Sequence, residues 1–401
     1  PVWLTATPQG GIEAVRLRAH ADGTLMCHAD APAGARVRVA VGDAVTEGAA
    51  GSPLCLRVPE VRPWSPDDPA LYDVVVERLD ALGVVADRVD LRTGFRDVEV
   101  RGHQLLLNGA PITLKGFGKH EDGPIRGRGL DLPQLVKDFG LLDWIGANSV
   151  RTSHYPYSEA FLDFADEAGI LVIDEVFSVN LDFRQVTEAT LAQHKAAVQA
   201  LIARDGHRPC VIAWSLANEP GYLGEAEYRQ RSGPYWQALF DHARGLARPR
   251  PRTHATVGSA GRAGPAFGQA DVVSINRYFG WYQAPAQIKR AVELLRIDLD
   301  SVAAHGKPVF VAEFGADALA GQHSTTPQLF TEEYQADLIA AFWAEIERHP
   351  ACIGGHVWNF ADFRTAQHSR RVVLNLKGVF TRDRQPKRAA FVLRDLWSDR
   401  P

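Results

Sequence analysis

The spacing of apolar positions changes near residue 98. Before it, short runs such as "ARVRVAVG" and "LYDVVVERLD" alternate apolar with polar side chains and are separated by Gly, Pro, Asp and Ser. Alternation over four to eight residues with turn signals between predicts an antiparallel β-sandwich over residues 1–97. The stretch "RTGFRDVEVRGHQLLLNGAPITLKG" follows as a strand-rich bridge into a second domain, 98–401. From about residue 112 the pattern becomes strand alternating with helix. Eight apolar runs recur: "ITLKGFG", "ANSVRTSHY", "GILVIDEV", "VIAWSLANE", "THATVGS", "DVVSINRY", "KPVFVAEFG" and "IGGHVWNFAD". Segments with helical periodicity separate most of them, for example "LPQLVKDFGLLDWIG" and "EEYQADLIAAFWAEIER". Apolar strands without polar alternation, spaced by helices, predict a parallel sheet covered on both faces. Eight such units over roughly 290 residues fit a (β/α)8 TIM barrel, whose usual size is about 250 residues. The fifth unit is the weakest, because its helix between Ser259 and Asp271 is short and Gly-rich.

Composition narrows the classes. The chain has 401 residues, 46% hydrophobic and 23% charged, with a formal net charge of −4. That is an ordinary globular composition, and the charge gives no sign of a nucleic-acid partner. No apolar run approaches the ~20 residues of a membrane span, so no membrane partner is expected. Cys27, Cys55, Cys210 and Cys352 lie far apart without metal-ligand spacing and read as buried thiols. None of the seven asparagines has Ser or Thr two places on, which disfavours a secreted eukaryotic source. The first residue is Pro1 and nothing there resembles a secretion signal. A bacterial cytoplasmic setting is the expectation, with the native start not visible. No His/Asp cluster has convincing ligand spacing, so neither a metal nor an organic cofactor is expected.

In a barrel of this kind each strand delivers its last residues to one face, where such folds keep their sites. The predicted strands end in Lys119, His120, Glu121 and Asp122; Arg151 and His154; Asp174 and Glu175; Asn218 and Glu219; Asn276 and Tyr278; Glu313; Trp358 and Asn359. One or two polar strand ends are common as caps, but polar groups at nearly every end are not explained that way. Glu219, in "VIAWSLANEP", and Glu313, in "VAEFG", end the fourth and seventh strands, which lie roughly opposite each other. Two carboxylates facing over a barrel mouth suit glycosidic hydrolysis, where one donates a proton and the other attacks or activates water. Taken singly, each is equally a salt-bridged strand cap.

Long stretches of the chain resemble the β-glucuronidases of glycoside hydrolase family 2: "GFGKHEDGPIRGRGLD", "DWIGANSVRTSHYPYSEAFLDFADEAGILVIDE", "IARDGHRP", "WSLANEP", "NRYFGWY", "AEFGADALAGQHS", "WNFADFRT" and "NLKGVFTRDRQPKRAAF". The first 97 residues resemble that family's immunoglobulin-like sandwich more loosely. The resemblance implies that Glu219 is the general acid/base and Glu313 the nucleophile of a retaining enzyme. Retention requires carboxyls about 5–5.5 Å apart. By the same resemblance, Asn218 contacts the sugar's 2-hydroxyl, Tyr278 holds the nucleophile and Tyr282 is a second pocket tyrosine. Asp122 accepts from sugar hydroxyls, and Trp358 floors the pocket. Arg151 and His154 either support the pocket or form an internal ion pair, and Glu175 braces other polar groups. Asn375 and Lys377 match the family's Asn-x-Lys reader of the sugar carboxylate, with Leu376 between them, and Arg371 matches a further pocket arginine. A carboxylate wants a cation and a donor, and these residues supply both.

The implied partner is a glucuronic-acid-containing glycoside or glycan. A β-galacturonidase, another family 2 β-glycosidase or a catalytically impaired sugar-binding fragment are the alternatives. Family members begin with a jelly-roll domain that this sequence lacks, which leaves open whether the chain forms a homo-oligomer. The segment after the third strand, "FSVNLDFRQVTEATLAQ", is short, which implies an open mouth suited to larger aglycones.

Overall fold

In "RVRVAV" every second residue is valine, and Val37, Val39 and Val41 are buried while Arg36, Arg38 and Ala40, which alternate with them, are not. The structure, a computed structural model, describes every residue except 1–3, 5, 222–224, 247–249, 257–264, 368–370, 372 and 399–401. The valine strand is β3 (Arg36–Val41). With it run β1 (Ala14–Ala19), β2 (Thr24–Asp30), β4 (Ala44–Ala49), β5 (Leu54–Arg57), β6 (Tyr72–Leu79) and β7 (Val85–Thr93). They form two antiparallel sheets, β1-β2-β5 and β4-β3-β6-β7, which enclose Leu25, Val37, Val39, Val74 and Val76. Burying each such side chain stabilises by about 1.5–3 kcal/mol, which is what holds the layers together. The bridge is a small third sheet of β8 (Val98–Arg101), β9 (Gln104–Leu107) and β10 (Ala110–Pro111).

The remainder is a closed barrel of eight parallel strands in sequence order. These are β11 (Leu114–Lys119), β12 (Ser149–Thr152), β13 (Leu171–Glu175), β14 (Val211–Asn218), β15 (Arg252–Thr256), β16 (Val273–Asn276), β17 (Val309–Phe314) and β18 (Cys352–Trp358). Each falls on one of the eight apolar runs. Closure is the pairing of β11 with β18, Leu114 opposite Gly354 through Gly118 opposite Trp358. Every residue of β12, β13, β14, β15, β16 and β17 is buried, as expected for strands covered on both faces.

The covering helices are α1 (Leu132–Ile145), α2 (Glu159–Ala168), α3 (Glu188–Asp205), α4 (Glu225–Leu246), α5 (Pro265–Gln269), α6 (Ile288–Ala303), α7 (Glu332–Arg348) and α8 (Arg388–Trp397). Helix α1 shows why its sequence stops and starts where it does. The Asp131 side chain accepts from the Gln134 N–H, and Gly146 closes the other end at φ 77°, a left-handed turn that suits glycine. The weak fifth unit is the five-residue α5; the segment before it lies outside the described residues. After β18, the short strands β19 (Phe363–Arg364) and β20 (Leu374–Asn375) pair antiparallel over the barrel mouth.

The sandwich is fastened to the barrel by hydrogen bonds to main-chain carbonyls. Arg96 donates through Nε to Pro209 O at 2.9 Å and through Nη2 to the Arg208 and Val211 carbonyls at 3.0 Å. Trp64 Nε1 donates to Asp166 O at 2.9 Å. The cysteines need correction: Cys27 and Cys210 are buried, but Cys55 is exposed and Cys352 half-buried. Cys55 lies on β5, whose alternate residues face outward. No helix among the described residues is long and apolar enough to cross a membrane.

Candidate active site

The C-terminal ends of the barrel strands open into a cavity of ≈ 530 Å³. Asn218, Glu219, Tyr278, Tyr282, Glu313, Trp358, Arg371 and Asn375 line it, together with His120, His154, Asn276 and Phe363 among others. Residues from β14, β16, β17, β18 and the β19–β20 loop thus reach one space, although they lie up to 157 positions apart (375 − 218).

Glu313, the fifth residue of β17, is buried and held through both oxygens. Arg151 Nη2 donates to Oε1, and the Tyr278 hydroxyl donates to Oε2 at 2.6 Å. Arg151 is itself bound on its other side, where Nη1 donates to Glu175 Oε2 at 2.6 Å. His154 Nδ1 lies 2.7 Å from Glu175 Oε1, and Ser215 Oγ donates to Glu175 Oε2 at 2.6 Å. Burial works against the Arg151 charge, but Glu175 and Glu313 beside it more than compensate and hold it above the usual arginine value. Burial would also raise Glu175. The Arg151 charge and the His154 and Ser215 hydrogen bonds override that and bring it down to about 2. Arg151 and Glu175 therefore keep their charges behind Glu313. Sequence reasoning placed Arg151 and Glu175 at strand ends without linking them to Glu313. No local signal shows that β12 and β17 point their ends at each other.

Glu219 follows β14 in a different setting. Its backbone is left-handed at φ 45°, pinned by its N–H to Ala255 O at 2.9 Å. Among the described residues its one side-chain donor is Asn276 Nδ2, 3.0 Å from Oε1, and the same nitrogen lies 3.2 Å from Asn218 Oδ1. Burial and the negative charge of Glu313 push the Glu219 carboxyl above its ordinary value, and Asn276 only partly offsets them. Tyr278 is pushed well up by burial, Glu313 and Glu219, so it stays a hydroxyl donor. Asn276 was visible as the last residue of the sixth strand; its hold on Glu219 was not.

Trp358 lies parallel to the His154 ring, centroids 5.1 Å apart, and edge-on to Phe363 at 5.8 Å. Phe363 also stands 4.3 Å from His120. Burial, with His154 next, lowers His120 to about 3, so the wall it forms is uncharged. The loop after β13 closes one side, its Asn180 N–H donating to Asn218 O at 3.0 Å.

Three of the remaining predicted residues cluster at one end. Arg371 Nη2 and Lys377 Nζ lie 2.9 and 3.1 Å from the Tyr282 hydroxyl. Asn375 Oδ1 accepts from the Lys377 N–H at 3.2 Å. Lys377 sits just behind the wall rather than on it, almost fully buried. Asp122 departs from expectation. Arg382 donates to both its oxygens, at 2.7 and 2.9 Å, and the Arg364 N–H lies 3.1 Å from Oδ2. With its acceptors so occupied, it does not line the cavity.

Residues 98–400 match the family model "Glycosyl hydrolases family 2, TIM barrel domain", and residues 13–96 match "Glycosyl hydrolases family 2". The chain belongs to glycosyl hydrolase family 2. This family 2 chain is 44% identical over 362 residues to a β-glucuronidase of Paenibacillus borealis, covering 87% of itself and 59% of that protein. A solved β-D-glucuronidase of Dictyoglomus thermophilum superposes with a TM-score of 0.89 at 38% identity, over 98% of this chain and 70% of that one. A β-glucuronidase from Ruminococcus gnavus in complex with D-glucuronic acid superposes at 0.87 with 35% identity, over 97% and 68%. The chain spans little more than half the length of the curated relatives it matches, 53–59%.

Proposed function

We propose that this family 2 chain carries the activity of a retaining β-glucuronidase, hydrolysing β-D-glucuronides through a covalent glycosyl-enzyme intermediate. The observation that carries the reading is the opposite setting of two carboxyls on one cavity. Glu313 is anchored by Arg151 and Tyr278, while Glu219 is pushed toward its protonated form by burial and by Glu313. Environments that separate two carboxyls in this way assign the acid and the nucleophile.

Glu219 then gives its proton to the glycosidic oxygen as Glu313 attacks the anomeric carbon. Once the leaving group has gone, Glu219 takes a proton from water as that water displaces Glu313. As the charge on Glu313 is consumed in the first step, the proton on Glu219 becomes easier to lose, which suits its change from acid to base. Asn218 stands beside Glu219 for the sugar's 2-hydroxyl, and Trp358 offers its ring as a floor. Arg371, Lys377 and Asn375 supply the cations and polar group that a C6 carboxylate requires. D-glucuronic acid in the Ruminococcus gnavus relative supports that assignment.

The test is hydrolysis of a chromogenic β-glucuronide beside the matching galacturonide, galactoside and glucoside, with the product anomer followed by NMR. The glucuronide should be turned over fastest, with the β-anomer formed first. Faster turnover of the galacturonide, or an α-anomer appearing first, would overturn the reading.

A further inference from the structure

The lysine assigned to the sugar carboxylate is already paired. Lys377 Nζ donates to Asp317 Oδ1, and both side chains are 1% exposed. Three rings surround the ammonium, with centroids of Tyr278, Trp281 and Tyr282 at 5.6, 5.1 and 4.9 Å. Asp317 lies on the chain leaving β17, four places after Glu313. The next residue, Ala318, donates its N–H to Leu376 O at 3.0 Å, which fixes the Asp317 segment to the Lys377 segment. Arg371 is the contrasting cation. Its Nη1 stands 3.8 Å from Asp317 Oδ2, and that buried nitrogen has no hydrogen-bond partner among the described residues.

Among the described residues, the charges near this end of the cavity can be counted. Lys377 and Arg371 are two cations and Asp317 is one anion. The neighbouring Lys387, 2.8 Å from Asp362, is a neutral pair. Among the described residues one positive charge is left over, and the donor without a partner is on the arginine.

We propose that Asp317 is a positioning and specificity-setting residue. It holds Lys377 in place and neutralises it, leaving Arg371 as the uncompensated charge. The subsite is thereby matched to a monoanionic C6 group. This rests on the glucuronidase reading and extends it. In binding terms, the acidic product meets a site of one net charge rather than two, which lets it leave.

Competitive inhibition by D-glucuronate, with D-glucose as the uncharged counterpart, tests this in the parent chain and three variants. In Arg371→Gln the subsite has no net charge. The preference for glucuronate over glucose should fall about ten- to a hundredfold although Lys377 is intact, the size of one unit charge in a half-screened site. In Asp317→Asn the amide oxygen still accepts from Lys377, but the anion is gone. Glucuronate should bind about tenfold or more tighter at about pH 6, well below the ordinary lysine value. KM for the glucuronide should fall with it, and glucose binding should not change. Asp317→Ala removes charge and acceptor together, so glucuronate should bind more weakly than to Asp317→Asn. A merely structural aspartate would weaken binding in both variants, and that outcome overturns the proposal. So does an Arg371→Gln protein that keeps its preference, an arm that stands even where Asp317→Asn does not fold. A parent that neither hydrolyses glucuronides nor binds glucuronate sinks the glucuronidase reading itself. A parent that does both, with unchanged affinity in Asp317→Asn, sinks only the role given to Asp317.

Discussion

Both oxygens of Glu313 are taken by donors before any sugar arrives, whereas Glu219 has a single amide donor among the described residues. Four outcomes follow at this scale. Glu313→Gln should lower kcat about a thousandfold or more, since the bond to the anomeric carbon can no longer form. Circular dichroism should show the fold retained. Glu219→Ala should spare the first step for substrates with good leaving groups, and azide should restore the second. Equal loss for good and poor leaving groups without azide rescue would remove Glu219 from the acid/base role. The raised Glu219 value also has a sign in kinetics. The acid must be protonated, so kcat/KM for poor leaving groups should fall as pH rises through that value, and the alkaline limb should vanish in Glu219→Ala. Lys377→Ala should lower kcat/KM for glucuronides by about 2–5 kcal/mol, roughly 30- to several-thousand-fold, and far less for glucosides. It should also melt earlier, because the buried Asp317 loses its hydrogen-bonded partner and keeps only Arg371 at 3.8 Å.

At the scale of elements, strand ends were legible because a polar residue closing an apolar run interrupts a pattern, as Glu219 does after "VIAWSLAN". What such residues pair with was not legible. Arg382 takes Asp122 from 260 positions away, and Arg151 reaches Glu313 from 162, separations that no periodicity encodes. Two elements offer tests. In β11, a Cβ on Gly118 would come within 2.6 Å of the Trp358 ring. Gly118→Ala should therefore push the tryptophan into the cavity, lowering kcat/KM and costing about 1–3 kcal/mol of stability. At the end of β13, Glu175 is depressed from 4.5 to about 2. A carboxylate lowered on folding stabilises above its unfolded value, so about 3 kcal/mol should be present above pH 4.5 and lost as pH falls from there toward 2. Urea midpoints against pH should show that acid-side slope shallower in Glu175→Gln.

Over the whole molecule, the sandwich and barrel were legible as a change from period-two alternation to alternating strand and helix near residue 98. Their fastening was not, because Arg96 grips main-chain carbonyls, which carry no residue identity. Arg96→Gln should leave those carbonyls short of donors and cost about 3 kcal/mol, seen as a lower melting temperature. The pairing of β11 with β18 has a consequence in time. The first barrel strand leaves the ribosome 240 residues before its last partner is complete (358 − 118), which at about 5–20 residues per second is on the order of ten seconds or more. Through that interval β11 and the newest strand each present an open, apolar edge. Such edges recruit other chains. Yield in a cell should therefore depend on how quickly this one seam closes, and slowing translation after β17 should increase aggregation without altering the finished protein.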